Sequence, residues 1–484
     1  MLVSLTGTGP LYQQIYRSLR NAILTGRLRS GDRLPVTRTL AAGLDVSRNV
    51  VLIAYEQLIA EGYAVGRAGS GTFVAAAIPD SMLNVSSIRG VPAFQHHTAT
   101  ARLSAYARRI LSEAEADLPT PPAVRIRYDF TYYRASTADF PADLWRRLLA
   151  RRLRTLDLEY SPARGDATLR TEISAYLRRA RAVESTPDQI LLVNGSQQAL
   201  DLISRVLIDP GDSVVIEAAH YSGAREAFRA AGARLLAVPL DRHGLVTSRL
   251  PRGPRIRLAY VTPSHQLPTG AILPLDRRLE LLAWAGRTGA YVLEDDYDGE
   301  YRYEGRPLEA VQALDRDGRV IYTGTFSRIL FPSLRMGYVV MPPSLAPVLT
   351  RAKWVADRHT SLVQQGALAD FLREGHLERT VRRAQVRNAA RRAALLRAIE
   401  KHFGDDVEVF GAGTGVHVLV HFRHIPAGHA EALVARAAAA GVRVYSSASY
   451  YLRPPDRCEL VLGYGAMTER EIAAGIRALQ SAIF

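Results

Sequence analysis

A stretch of seventeen residues, Tyr322–Tyr338, concentrates side chains that bind anions; it runs YTGTFSRILFPSLRMGY. Thr325 and Ser327 supply hydroxyl groups, and Arg335 supplies a planar fork that matches two phosphate oxygens. Arg328 directly follows Ser327. Because a guanidinium group keeps its proton up to about pH 12, it neither attacks a carbonyl carbon nor shuttles protons at neutral pH. The stretch therefore predicts anion binding without nucleophilic chemistry.

A second informative set lies near the amino terminus, where residues 47–49 have the sequence SRN. Arg48 can donate two hydrogen bonds to guanine, and Asn49 can form two with adenine. Ser47 and the free N–H groups of a helix start suit phosphate. A net charge of +15 also favours an anionic partner such as DNA. Lysine occurs only at 353 and 401, so an arginine-biased genome is a second explanation of the charge.

Residues 10–75 contain the elements that would position this set. Leu11, Ile15, Leu19 and Ile23 recur every four residues and predict an amphipathic helix. A short helix follows a turn, and a third helix is expected between Ser47 and residue 62. Two short helices across a tight turn indicate a helix-turn-helix, and the alternating residues around GRAGSG predict a β-hairpin wing.

This region, LPVTRTLAAGLDVSRNVVLIAYEQLIAEGYAVGRAGSGTFV, resembles the winged-helix domain of the GntR family of repressors. Asp45 stands where that family usually has glycine. The resemblance implies an operator-binding domain over residues 1–76. The residues that it implies face DNA are Arg38, Ser47, Arg48, Asn49, Gly69 and Ser70.

Residues 77–127 lack periodicity, apart from one possible helix, and predict a linker. Its adjacent His96 and His97 have no nearby cysteine or acidic cluster, so we expect surface residues and no metal site. The single cysteine, Cys458, cannot form an internal disulfide. The sequence shows neither a signal-peptide pattern nor an apolar run of about 18 residues. We therefore expect a cytoplasmic protein with no membrane partner.

Residues 128–484 alternate apolar strands with helical segments, which predicts an α/β domain around a mostly parallel sheet. The expected strands are QILLVNG, SVVIEA, RLLAVPL, IRLAYVTP, AYVLEDD, VIYTGTF and MGYVVMP. A long helical region, residues 343–402, is expected next. A smaller α+β part should contain the strands GVHVLVHF, VRVYSS and CELVLGYG.

The segments between these strands resemble, in order, the motifs of fold-type I aminotransferases. Together with the winged helix, they resemble the MocR subfamily of GntR regulators. The resemblance implies a homodimer and a site for pyridoxal 5′-phosphate (PLP), in which Asp295 holds the pyridine nitrogen and Tyr160 reaches the phosphate of the neighbouring subunit. The implied cofactor residues are Tyr160, Ser196, Gln197, Tyr221, Asp295, Tyr297, Thr325, Ser327, Arg328 and Arg335.

The sequence departs from the aminotransferase pattern at four places. Arg328 replaces the lysine that bonds covalently to PLP, and Val461 replaces the arginine that grips the substrate carboxylate in many members. Leu267 replaces an asparagine, and the segment EAAHY before Tyr221 replaces EDPGY. Arg328 has three explanations: it holds an anion itself, it is drift at an unused position, or it is an introduced replacement. All three point away from turnover.

We therefore expect a DNA-binding regulator that senses a small anionic effector, PLP or a related ligand held without a covalent bond, through a non-catalytic domain. An alternative is a competent PLP-dependent aminotransferase with an accessory DNA-binding head. A third is an architectural DNA binder with an empty second domain. An amino-donor turnover assay distinguishes the second interpretation from the first.

Overall fold

The computed structural model describes residues 3, 5, 9–67, 69–78, 102–113, 126–132, 140–155, 159–304 and 309–483. The chain forms two compact units, Met1–Arg102 and Leu103–Phe484. Most of the predicted linker, including His96 and His97, lies outside the described residues. None of the helices within these ranges combines the length and apolar character needed to cross a membrane.

The described residues of the first unit form three helices and a hairpin: α1 (Leu11–Leu24), α2 (Thr37–Leu44), α3 (Arg48–Ala60), β1 (Ala64–Arg67) and β2 (Gly71–Val74). Its core includes Ile15, Leu19 and Ile23, as the four-residue repeat predicts. Leu11, the first residue of the repeat, lies in the first turn of α1 and is 45% exposed. These buried residues of α1 face α3, the helix that follows the turn, and stabilise its position.

The second unit begins with the elements α4 (Ala105–Glu113), β3 (Tyr128–Asp129), α5 (Ala142–Leu153), α6 (Ala167–Arg181), β4 (Ile190–Val193), α7 (Ser196–Leu207), β5 (Ser213–Glu217), α8 (Ser222–Ala231) and β6 (Arg234–Val238). It continues with β7 (Leu240–Asp241), β8 (Gly244–Leu245), β9 (Ile256–Val261), α9 (Leu275–Thr288), β10 (Tyr291–Asp296), α10 (Val311–Leu314), β11 (Val320–Thr325) and β12 (Gly337–Val340). Helix α4 packs on α8, where Arg109 Nε donates to the carbonyl of Ala230 at 2.8 Å.

All seven strands predicted for the large domain form one sheet, in the order β4-β12-β11-β10-β9-β5-β6. Strand β12 runs antiparallel to both of its neighbours, and the other neighbouring pairs are parallel. Most strand residues are buried, since helices cover both faces of such a sheet. The predicted α/β class is confirmed.

The remaining elements are α11 (Ala346–Asp357), α12 (Leu362–Arg373), α13 (His376–Phe403), β13 (Val407–Phe410), β14 (His417–Pro426), α14 (Ala430–Ala439), β15 (Val442–Arg443), β16 (Tyr445–Ser446), β17 (Arg457–Gly463) and α15 (Glu469–Ile483). Four of these strands form an antiparallel sheet in the order β13-β14-β17-β16. The prediction of one strand over VRVYSS is wrong. Its first half, β15, pairs with β3, and its second half, β16, pairs with β17, because the chain changes partners at Val444.

The sheet topology brings distant polar residues to one edge. Strands β10 and β11 are parallel neighbours, and Asp295 on β10 lies opposite Thr323 on β11. Strand β4 leads directly into α7 through Gly195. Side chains at the carboxyl ends of β4, β10 and β11 therefore gather at the edge where open α/β sheets bind ligands.

Candidate functional site

The first unit presents the predicted DNA-facing residues at its surface. Arg48 and Asn49 occupy the first turn of α3, and both are exposed. Ser47 precedes α3 in an extended conformation, and its side chain makes no capping hydrogen bond. The Ser47 hydroxyl is thereby left at the exposed start of the helix.

Backbone conformation defines the turn and the wing of this unit. Asp45 ends α2 at φ 52°, in the left-handed region where glycine is usual, and so the chain turns towards α3. The wing is an antiparallel hairpin in which Arg67 pairs with Gly71. Gly69 has φ 75° at its tip, and Gly69 and Ser70 are exposed there. Arg38, on α2, is also exposed.

The second unit contains a cavity of about 240 Å³ at the carboxyl edge of its sheet. Nine of the ten predicted cofactor residues line it. The full lining comprises Tyr132, Ser196, Gln197, Tyr221, Tyr260, Leu267, Asp295, Tyr297, Thr325, Ser327, Arg328, Pro332 and Arg335. Strand ends, a helix start and the loop after β11 bring these residues together from separate parts of the chain.

One wall of the cavity is built for an anion. Helix α7 starts at Ser196 after Gly195, whose φ of 83° and ψ of 172° suit glycine. Arg335 Nη2 donates to the carbonyl of Asn194 at 3.0 Å, which holds its guanidinium beside this helix start. The Oγ atom of Ser327 is buried and has no hydrogen-bond partner among the described residues. These donors and the N–H groups of α7 can hold phosphate oxygens.

A buried lysine supports this wall from behind. Lys353 Nζ donates to Gln198 Oε1 at 2.9 Å and to Asp357 at 2.7 Å, and its side chain is fully buried. Gln198 Oε1 also accepts from the N–H of Asn194 at 2.8 Å. Burial lowers the pKa of Lys353, whereas Asp357 opposes that change. The other lysine, Lys401, is exposed on α13, so neither lysine lines the cavity.

A second wall carries the acid and phenols expected around a pyridine ring. Tyr260 OH donates to Asp295 at 2.8 Å, and burial raises the pKa of Asp295 to about 6. Tyr221 OH lies 3.4 Å from Gln197 Oε1, and burial raises the pKa of Tyr221 to about 12. The EAAHY segment therefore still brings Tyr221 to the cavity, and Asp295 can meet a protonated ring nitrogen as a carboxylate above about pH 6.

Tyr297 is held by a buried cluster that the sequence motifs did not reveal. Its hydroxyl lies 3.1 Å from His265 Nδ1, which lies 2.8 Å from Asp298 Oδ2. Donor atoms of His265, Asp298 and His417 lie within 4.8 Å of one another. Such groups bind zinc in other settings, but the His265–Asp298 hydrogen bond accounts for this pairing. Burial lowers the pKa of His417 well below its usual range. The contact with His265 holds the Tyr297 hydroxyl in place.

Arg328 lies partly buried in the cavity between two tyrosines. Its Nη1 atom donates to the carbonyl of Tyr132 at 2.7 Å. Its Cζ atom lies 5.1 Å from the ring centroid of Tyr132 and 5.7 Å from that of Tyr297. These contacts are cation–π interactions, which stabilise the charge without neutralising it.

Two further departures from the aminotransferase pattern, Leu267 and Val461, place apolar side chains at or near the cavity. Leu267 lines it, and Val461 is fully buried in an apolar cluster that includes Leu267 and Tyr297. Tyr160 is the one predicted cofactor residue outside the lining. It is 79% exposed, and its ring lies edge-on to His359 at 6.0 Å.

Sequence reasoning assigned no role to several residues of the site. Tyr132, Tyr260, His265 and Lys353 lie in ordinary-looking segments, although the triplet SHQ around His265 is a polar run directly after a buried strand. That signal was present in the sequence. Tyr132 and Lys353 had none, since only the folded chain brings Tyr132 to the cavity and Lys353 behind its anion-binding wall.

Comparison with known proteins links both units to characterised families. The family described as "Bacterial regulatory proteins, gntR family" matches residues 11–74, and "Aminotransferase class I and II" matches residues 136–479. These matches confirm the two domain types that the motifs predicted.

Two transcriptional regulators match this chain over most of their length. The chain is 36% identical to the probable rhizopine catabolism regulatory protein MocR of Rhizobium meliloti, over 98% of this chain and 94% of that protein. It is 33% identical to the pyridoxine biosynthesis transcriptional regulator PdxR of Corynebacterium glutamicum, over 76% of this chain and 74% of that one. Among solved structures, the kynurenine aminotransferase of Pyrococcus horikoshii matches with a TM-score of 0.68 and 28% identity, over 81% of this chain and 96% of that chain.

Proposed function

The chain belongs to the MocR type of GntR-family transcriptional regulators, and we propose that its second unit senses a small anionic ligand without catalysing a reaction. The observation that carries this proposal is Arg328 inside a cavity whose anion-binding wall is intact. Such a wall can bind an anion, while Arg328 cannot form a covalent bond with a carbonyl group.

The residues that line the cavity can hold most of the polar groups of PLP. Arg335, the partnerless hydroxyl of Ser327 and the start of α7 would hold its phosphate, and Asp295 would hold its ring nitrogen. When bound, PLP supplies an electron-withdrawing ring and an aldehyde. The chain's own contribution is to bind and orient the ligand, and to keep a carboxylate at Asp295 above about pH 6.

The cavity does not supply the amine that aminotransferase chemistry needs. A lysine forms the covalent bond to PLP and moves protons, and a guanidinium group does neither near pH 7. Lys353 is engaged with Gln198 and Asp357 behind the wall, and Lys401 is on the surface. We infer that any PLP is held without a covalent bond.

We propose that the first unit binds operator DNA as part of a homodimer in the cytoplasm. Arg48 and Asn49 would read base edges, while Ser47, Arg38 and the wing tip would contact the backbone or the minor groove. A two-fold dimer would engage paired half-sites. The 79% exposure of Tyr160 supports its proposed role at the phosphate of the second subunit, since the side chain is free to leave its own surface.

Sedimentation of the full chain tests the dimer, and ligand titration of Tyr160→Ala tests the shared site. We expect a dimeric parent, and a variant that remains dimeric but binds phosphate esters more weakly. A monomeric parent at micromolar concentration would contradict the proposal.

Mass spectrometry of the purified protein tests the sensor function directly. Native conditions should retain a small anionic ligand, and denaturing conditions should release it with the chain at its unmodified mass. An amino-donor turnover assay with added PLP serves as the counter-test. Turnover above the level of free PLP would support the aminotransferase alternative and contradict the sensor proposal.

A further inference from the structure

Two guanidinium groups line the cavity, and neither has a carboxylate within ion-pair distance among the described residues. Arg335 lies beside the start of α7, whereas Arg328 contacts Tyr132 and Tyr297 on a different wall. The lining contains one acidic residue, Asp295, and its carboxylate accepts a hydrogen bond from Tyr260. The cavity therefore carries more positive than negative charge when Asp295 is ionised.

Arg328 makes this excess permanent. A lysine at the same position could lose its proton on burial, but a guanidinium group cannot do so near pH 7. Its aromatic neighbours and the carbonyl of Tyr132 provide partial negative charge only. A partly buried cation without a counter-charge is costly, and an anion placed against it relieves that cost.

We propose that the preferred ligand is a phosphate ester of a planar aromatic ring that carries a second anionic group. This group is a carboxylate at the position where PLP carries its aldehyde. This proposal rests on the proposed sensor function and specifies its ligand class. The phosphate would occupy the wall formed by Arg335 and Ser327. The carboxylate would accept the guanidinium N–H groups that Arg328 does not donate to Tyr132, in the two-point geometry that arginine forms with carboxylates.

The proposal follows from the difference between lysine and arginine at position 328, two side chains of equal charge. In an aminotransferase, the residue at this position forms a covalent bond with an aldehyde, so an aldehyde is the best ligand group. At Arg328 the aldehyde forms no such bond, and an amine would bring a second cation to the same place. The order of affinity should therefore be carboxylate first, aldehyde second and amine last.

Isothermal titration of the full chain with four probes tests this order. The probes are 4-pyridoxic acid 5′-phosphate, PLP, pyridoxamine 5′-phosphate and inorganic phosphate. We expect the carboxylate to bind at least tenfold more tightly than the amine, and inorganic phosphate to bind most weakly. This contrast uses the unmutated protein and so does not depend on the folding of a variant.

Three variants locate the effect within the cavity. Arg328→Gln should reduce the difference between carboxylate and amine to less than threefold, because it removes the charge that distinguishes them. Arg335→Gln should weaken all three esters by tenfold or more and leave their order unchanged. Arg397→Gln, at an exposed position of α13, serves as the matched control and should change neither affinity nor order.

The outcomes separate this inference from the proposed function. If the ester with an amine or an aldehyde binds as tightly as the ester with a carboxylate, the proposed preference for a second anionic group is refuted. The same holds if Arg328→Gln weakens every ester equally. In both cases the sensor function stands. If no ester binds to the parent, both proposals fail. The inference is supported if the parent, Arg335→Gln and Arg397→Gln prefer the carboxylate and only Arg328→Gln loses this preference.

Discussion

Replacing Gly195 with alanine tests whether the start of α7 and Arg335 form one anion-binding unit. The φ of 83° and ψ of 172° at this position belong to a region that non-glycine residues avoid, at a cost of about 1–3 kcal/mol. A Cβ atom there would lie 2.7 Å from Arg335 Nη2 and 3.0 Å from its Cζ. The guanidinium group would have to leave its place beside the helix start.

The expected loss of ligand affinity follows from the displaced contacts. A hydrogen bond to a charged group contributes about 1.5–3 kcal/mol, which corresponds to roughly 10- to 150-fold in the dissociation constant. Gly195→Ala should therefore bind phosphate esters, measured with PLP by isothermal titration at pH 7, weaker by about that factor. Urea unfolding of the same variant should show a loss of about 1–3 kcal/mol in unfolding free energy.

Gly289→Ala provides the matched control. Gly289 ends α9 with φ 74°, and a Cβ atom added there has nothing within 4 Å. This variant should lose about 1 kcal/mol of stability through backbone strain and keep its ligand affinity. If Gly195→Ala binds PLP as tightly as the parent, or if both variants lose affinity equally, the anion-binding unit is refuted.

Three further predictions concern other parts of the chain. Arg48→Ala should lose about 1–3 kcal/mol of binding free energy for a duplex from the protein's own promoter region, with relaxed base preference; unchanged binding at equal salt would contradict the recognition-helix assignment. Arg328→Lys should retain a pyridoxyl group in the 322–338 peptide after incubation with PLP and borohydride reduction, and the parent should retain none. Because burial raises the pKa of Asp295 to about 6, the folded chain holds a proton that the unfolded chain releases near pH 4. As the pH rises from 4 to 6, the unfolding free energy of the parent should therefore fall relative to that of Asp295→Asn. Urea titrations should show a fall of at most about 1.4 kcal/mol per pH unit.

Local patterns predicted most of the elements. Periodic apolar residues such as Ile15 and Leu19 mark α1, and seven continuous apolar runs mark the seven strands of the large sheet. Such patterns work because burial of one helix face, or of both faces of a strand, constrains residue type directly. The split of VRVYSS into β15 and β16 was not predictable in this way, because pairing with β3 or β17 leaves no local signal.

The residues of the candidate site also divide into those that local motifs identify and those that only the folded chain brings together. Asp295, Thr325, Ser327 and Arg335 were identifiable because each lies near the end of a buried strand or in the loop that follows it, within a recognisable motif. Their placement around one cavity agrees with that expectation, while their ligand contacts stay predictions. Tyr132 lies 196 residues from Arg328 along the chain, and its contact with that arginine left no trace in the sequence.

Residue identity and local spacing were sufficient to establish the two domain types, the family and the replacement of lysine by Arg328. These depend on residue identity and on spacing within short segments, and a guanidinium group has the same chemistry in any fold. What surrounds that group is visible only in the folded chain: an aromatic pair, one carbonyl and, among the described residues, no carboxylate within ion-pair distance. The physical reason is that charge balance in a cavity is a property of side chains gathered from distant segments, and the folded chain alone brings them within a few ångströms.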